Sequence, residues 1–187
     1  MIRRMGGPQY FFAGTASGAT APVTVLGRGG TSYSDAPEPL QVLTTLDDVR
    51  SASRRAVSSA QRLLSIFTLD LEPQLYEQTG FLELIQRFLL SHSFAKVRLL
   101  TQRAVPYTSP HKLAAMRRRL SGHIEIRTLN AQYAGRTSGM LIADAKAIVY
   151  RAQVGSWDGV AGFNQPPIAR LYLQEFDEMW IASVPKY

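Results

Sequence analysis

From Thr45 onward the apolar positions of this chain switch repeatedly between helical and strand spacing, and the switches mark out its elements. Leu46, Val49, Ser53, Ala56 and Ala60 form one stripe of a helix. Thr45 can cap it, Asp47 and Asp48 lie in its first turn, and Arg54, Arg55 and Arg62 follow, as the helix dipole favours. The apolar run at 63–71, LLSIFTLDL, predicts a buried strand, and EPQLYEQ leads to a second helix from about Thr79 with Phe81, Leu84, Ile85 and Phe88 on one face. KVRLLTQ at 96–102 is the next strand. Ser109 before Pro110 predicts a helix start, because proline suits the first helical position. Leu113, Met116 and Leu120 face inward there and Lys112, Arg118 and Arg119 outward, until Gly122 ends the helix. HIEIRTL at 123–129 is a strand, a strand pair spans 138–153, and a last helix runs from about Ile168 to Ser183. Ala169, Tyr172, Leu173, Phe176, Met179 and Trp180 supply its apolar stripe.

This order predicts an α/β domain, a mixed and mostly parallel sheet with helices on both faces. Ligands of such sheets sit beyond the carboxyl ends of the strands. Those ends are Asp70–Glu72 and Thr101–Arg103, with 129–136 as a neighbouring loop. Residues 1–40, rich in Gly, Ser, Thr, Ala and Pro, read as a disordered leader, and 41–187 as the folding unit. The GRGG segment of that leader lacks the pattern and context of a phosphate loop.

Charge adds a candidate surface. The net charge is +7, and nine lysines and arginines between Arg87 and Arg127 face only Glu125. Lys112, Arg118 and Arg119 form a candidate patch for polyanions, a solvated basic surface being the bland alternative. The chain has no cysteine, which removes disulfides, thiolate metal sites and cysteine nucleophiles and fits a reducing compartment; a cytoplasmic location is expected. No apolar run approaches the roughly 20 residues that cross a bilayer, and the first residues lack the apolar core of a signal peptide.

The stretch Arg136–Phe163 carries the candidate chemistry, as a strand, a tight connection at Ala145–Lys146 and a second strand. With SIFTLDLEPQLY, KVRLLTQ and the closing EFDEMW helix, it resembles one half of a phospholipase D-like domain over residues 45 to 183. The resemblance implies an H-x-K-x4-D motif here, in which a histidine attacks phosphorus and a lysine holds phosphate oxygens. If Asp144 is the acid of that motif, its histidine falls on Thr137 and its lysine on Gly139. No H-x-K occurs anywhere; the three histidines stand in His92-Ser93-Phe94, His111-Lys112-Leu113 and His123-Ile124-Glu125. The Gly-Ser pair expected six residues after the acid is replaced by Arg151-Ala152 and arrives late, as Gly155-Ser156. The resemblance therefore implies a degenerate member of unassigned function, with no catalytic residue and no cofactor. Asp144 reads as a turn-former, and no two histidines have zinc-ligand spacing.

Two classes of function stay open. The first is a non-catalytic binding or interaction module, with Arg103, Arg136 and Arg151 lining a site for a phosphate-containing ligand. Active relatives bring two halves together, so the resemblance implies a homodimer or a protein partner. The second is a metal-dependent phosphodiesterase that uses Asp70, Glu72 and Asp144. Sequence-independent nucleic-acid binding through the 112–119 helix is a third possibility, weakened by few interleaved aromatics.

Overall fold

A seven-stranded sheet in the order β1-β7-β6-β5-β2-β3-β4 organises the protein, in a computed structural model that describes residues 38–183. The strands are β1 (Gln41–Leu43), β2 (Leu63–Thr68), β3 (Lys96–Thr101), β4 (Ile124–Thr128), β5 (Gly139–Ala143), β6 (Ala147–Arg151) and β7 (Gly159–Gly162). The helices are α1 (Leu46–Ser59), the single turn α2 (Pro73–Tyr76), α3 (Thr79–Ser91), α4 (Lys112–Arg119) and α5 (Pro166–Ala182). Except for Glu38–Leu40, the expected leader lies outside the described residues.

The sheet is mixed, as its pattern predicts, with β2, β3 and β4 parallel to one another. β5 and β7 run against the other five strands and are interleaved among them, so two of the six pairings are parallel and four antiparallel. β1 and β7 are absent from the sequence reading. They are three and four residues long, too short for alternation to show.

Period-two alternation splits the sheet's side chains between two cores. Leu64, Ile66, Val97, Leu99, Leu141 and Val149 pack against α1, α3 and α4 on one face. Phe67, Leu100, Met140, Ile142 and Ile148 pack against Ala169, Phe176, Met179 and Trp180 of α5 on the other. Burying an aliphatic or aromatic side chain of this size is worth about 1.5–3 kcal/mol.

The element ends show local chemistry. Thr45 and Asp48 form a capping box at α1, and the Thr45 hydroxyl, with the Thr44 and Thr45 amides, holds the Asp48 carboxyl below its usual pKa. α4 starts later than Ser109-Pro110 predicts. His111 is its cap, with Nδ1 accepting from the Leu113 amide at 3.2 Å, while Glu77 accepts from the Lys112 amide at 2.7 Å. At the far end of α5, Arg127 donates to the carbonyls of Trp180 and Ser183 and stacks over the Trp180 ring at 4.2 Å. No helix among the described residues is long and apolar enough to cross a membrane.

Candidate functional site

Beyond the carboxyl ends of β2, β3 and β6 the chain assembles a cluster of opposite charges, and its centre is Arg151. This residue closes β6 directly across from Gly139 on β5, the position that corresponds to the motif lysine. A Cβ on Gly139 would lie 3.3 Å from Arg151 Nη2 and 3.0 Å from Val154 Cγ1. On the other flank, a Cβ on Gly159 would lie 2.9 Å from Arg151 Cγ and 2.4 Å from the Tyr150 carbonyl oxygen. The two glycines thus leave the volume that the arginine side chain fills.

The Arg151 side chain is 3% exposed, and its guanidinium makes three hydrogen bonds. Nη2 donates to Glu72 Oε1 at 2.5 Å, and Nη1 donates to the carbonyls of Val154 at 3.3 Å and Ser156 at 3.2 Å. The Trp157 ring lies over it, with its centroid 5.1 Å away. The other carboxylate oxygen of Glu72 accepts from the Thr68 hydroxyl at 2.5 Å. Glu72 reaches this place from a turn with left-handed backbone at Leu71 (φ 74°) and at Glu72 itself (φ 34°), a conformation costly for side chains with a Cβ. Beneath lies Tyr76, fully buried. Desolvation and then the Glu72 charge drive its phenol well above its usual pKa, against the pull of Arg151.

The remaining predicted arginines are engaged as well. Arg103 pairs with Asp70 at 3.0 Å in an exposed contact, and Arg136 pairs with Glu175 of α5. All three arginines lie at this end of the sheet, Arg136 just before β5 with its carbonyl bonded by Gln102, but each faces a carboxylate of its own. Thr137, at the histidine position, is exposed and donates its hydroxyl to the Ala152 carbonyl.

The carboxylate trio does not assemble. Asp70 and Glu72 are neighbours, whereas Asp144 sits at the opposite end of β5 in the hairpin to β6. There its carboxylate accepts from the backbone amides of Gln61, Arg62 and Leu63 at 2.5–2.8 Å, anchoring the α1–β2 loop. The turn-former reading of Asp144 agrees with this placement; the metal-site reading fails on it. Among the described residues no three His, Asp or Glu side chains are grouped to hold a metal.

A cavity of about 370 Å³ opens beside the cluster, lined by Asp70, Leu71, Glu77, Arg103, Val105 and His111. Burial pushes the His111 imidazole below its usual pKa, outweighing the pull of Glu77, whose Oε1 is 3.7 Å from Nδ1. A larger groove of about 810 Å³ borders Lys96, Arg98, Tyr107, Arg117 and Ile124 at the other end of β3 and β4, away from this chemistry.

On α4, Lys112, Arg118 and Arg119 are exposed, as the sequence predicts. Arg118 is not free, because it donates to the carbonyls of Tyr107 at 2.9 Å and Ser109 at 3.2 Å. Among the described residues, Lys112 and Arg119 form no salt bridge.

Sequence reasoning named Glu72 and Arg151 but not their union. They are 79 residues apart, and the local signal for it, glycines at 139 and 159 flanking an arginine, has meaning only in three dimensions.

Residues 45–187 match the family model described as "Domain of unknown function (DUF7931)". No curated protein matches the chain. Among solved structures the chain is similar to TrmBL2, an archaeal chromatin protein whose structure is described as showing a novel mode of DNA binding. That likeness has a TM-score of 0.58 at 15% identity and covers 80% of this chain but 54% of TrmBL2, so the chain spans about half of that protein's length. It is also similar to Nuc of Salmonella typhimurium, a phospholipase D family member (TM-score 0.55, 16% identity, 81% of this chain and 99% of Nuc). NucT of Helicobacter pylori gives a TM-score of 0.55 at 12% identity over 79% of this chain and 98% of NucT. These likenesses establish the phospholipase D-like fold.

Proposed function

The chain belongs to the DUF7931 family, and we propose that it is a non-catalytic binding module on a phospholipase D-like scaffold that holds polyanions on the outer face of α4. One observation carries the non-catalytic reading: the Arg151 guanidinium, bound to Glu72, lies only 3.3 Å from where a side chain at Gly139 would begin. A nucleophilic histidine and an oxygen-holding lysine have no replacement there, since Thr137 is turned to Ala152 and Gly139 has no side chain to offer. The three arginines named for a phosphate-sized site are each already paired with a carboxylate, which offsets the charge that an added anion would meet.

The cations of α4 carry no such encumbrance at Lys112 and Arg119, which lie two turns apart on the exposed side. The net charge of +7 adds long-range attraction. The DNA binding ascribed to TrmBL2 is in keeping with this, although the likeness extends to the fold alone.

Fluorescence anisotropy of a labelled 30-base-pair duplex tests the reading. Binding is expected to be weak, insensitive to sequence and steeply salt-dependent, because each neutralised phosphate contributes about −0.9 to the slope of log K against log salt. Lys112→Ala/Arg119→Ala should lower affinity and flatten that slope by about 2. Arg118→Ala is the poorer probe, since it also frees the 107–109 loop. Tight, sequence-selective binding, or a double variant with unchanged slope, would remove α4 from the account.

A further inference from the structure

We propose that Arg151 and Thr68 form a carboxylate socket, built between Gly139 and Gly159, which Glu72 fills in the resting fold and which a carboxylate from outside can fill in its place. The contacts are those of a carboxylate receptor. One oxygen accepts a hydrogen bond from a guanidinium N–H and the other from a hydroxyl, both at 2.5 Å. The receptor half does not depend on its occupant for orientation. Arg151 Nη1 is fixed by two carbonyls, the Trp157 ring covers the guanidinium, and Thr68 sits wholly buried at the end of β2.

The occupant, by contrast, is mounted on a strained support. Leu71 and Glu72 are both left-handed, and the Glu72 side chain makes no capping bond to α2. Withdrawal of that carboxylate costs no bond of a strand or helix. The same turn contributes Asp70 and Leu71 to the wall of the 370 Å³ cavity, and the Glu72 side chain itself is 11% exposed.

The charge balance favours a monoanionic carboxylate over phosphate. The socket offers one cation, and the nearest others, Arg103 and Arg136, are held by Asp70 and Glu175. The matching ligands are a small monocarboxylate or the carboxylate of a partner's side chain or chain end. The socket rests on the non-catalytic reading of this end of the sheet. That reading is tested by turnover of phosphodiesters, so its failure and a failure of the socket alone are told apart.

Glu72→Gly in the full chain is the informative variant, because glycine accepts φ 34° without strain and empties the socket. Its melting temperature should be lower than that of the parent. It should rise saturably with sodium acetate or formate, relative to sodium chloride of equal ionic strength. At ten times the half-saturating concentration the rise should be about 4 °C. The parent chain should show a far smaller rise, its socket being filled, and Glu72→Gly/Arg151→Met none. If Glu72→Gly is unfolded in chloride, folding in acetate supports the socket and failure to fold in either overturns it. Equal acetate and chloride responses overturn it too, as does an equal response in the double variant. A greater rise with inorganic phosphate than with acetate overturns the carboxylate assignment.

Discussion

At the residue scale, the energetics of this protein's pocket turn on Arg151 and Glu72. A charge as buried as Arg151 is tolerated only when paired, and removal of one partner of a buried pair costs about 3–5 kcal/mol. Arg151→Met and Glu72→Ala should each destabilise by that order in urea melts. Arg151→Met/Glu72→Met should lose less than the sum, because neither charge is stranded. Additive losses would show that the two side chains act separately. His111 allows a second check. Its folded pKa lies below the unfolded value, so the unfolded chain binds the extra proton first as pH falls. Stability should therefore be full at neutral pH and decline below about pH 6.5. His111→Asn, which keeps a capping acceptor, should flatten that decline. A decline of the same steepness in the variant would assign it to another group.

At the element scale, much was legible from the pattern alone. The stripe from Val49 to Ala56, the capping Thr45 and the runs at 63–71 and 96–102 lead directly to α1, β2 and β3. Where the reading missed, the cause is length or tertiary context. β1 presents a single buried side chain, Leu43, and β7 is held by its pairing to β6 and β1 rather than by its own apolar content. The strand predicted to Leu71 stops at Thr68, because the next four residues turn back to deliver Glu72. The hairpin between β5 and β6 forms as expected, but its connection spans residues 144–146 rather than Ala145–Lys146 alone, and its geometry carries a prediction. Asp144 (φ 50°) and Ala145 (φ 54°) are both left-handed, with Lys146 N–H closing onto the Ala143 carbonyl at 2.9 Å, in the three-residue connection between paired Ala143 and Ala147. Alanine is a poor choice there. Ala145→Gly should stabilise by about 1 kcal/mol, which is about 3 °C in melting temperature; a lower melting temperature would show that the turn is not strained.

At the scale of the whole molecule, the scaffold was legible and the fate of its site was not. The absence of histidine and lysine at Thr137 and Gly139 can be read from the chain, but what fills the vacated volume cannot. An arginine at the end of β6, a glutamate after β2 and two glycines meet only once the sheet is assembled. The same assembly separates Asp144 from Asp70 and Glu72 and so disposes of the carboxylate metal site. The most direct test of the central claim, that this phospholipase D-like fold has exchanged its reaction for an internal ion pair, is a turnover assay. Purified protein is incubated with bis(p-nitrophenyl) phosphate and with single-stranded DNA, with EDTA and separately with magnesium. The expected result is no release above a matched preparation of Arg151→Met. Turnover by the parent chain that co-purifies with it and is lost in Arg151→Met or Thr137→Val would contradict the account.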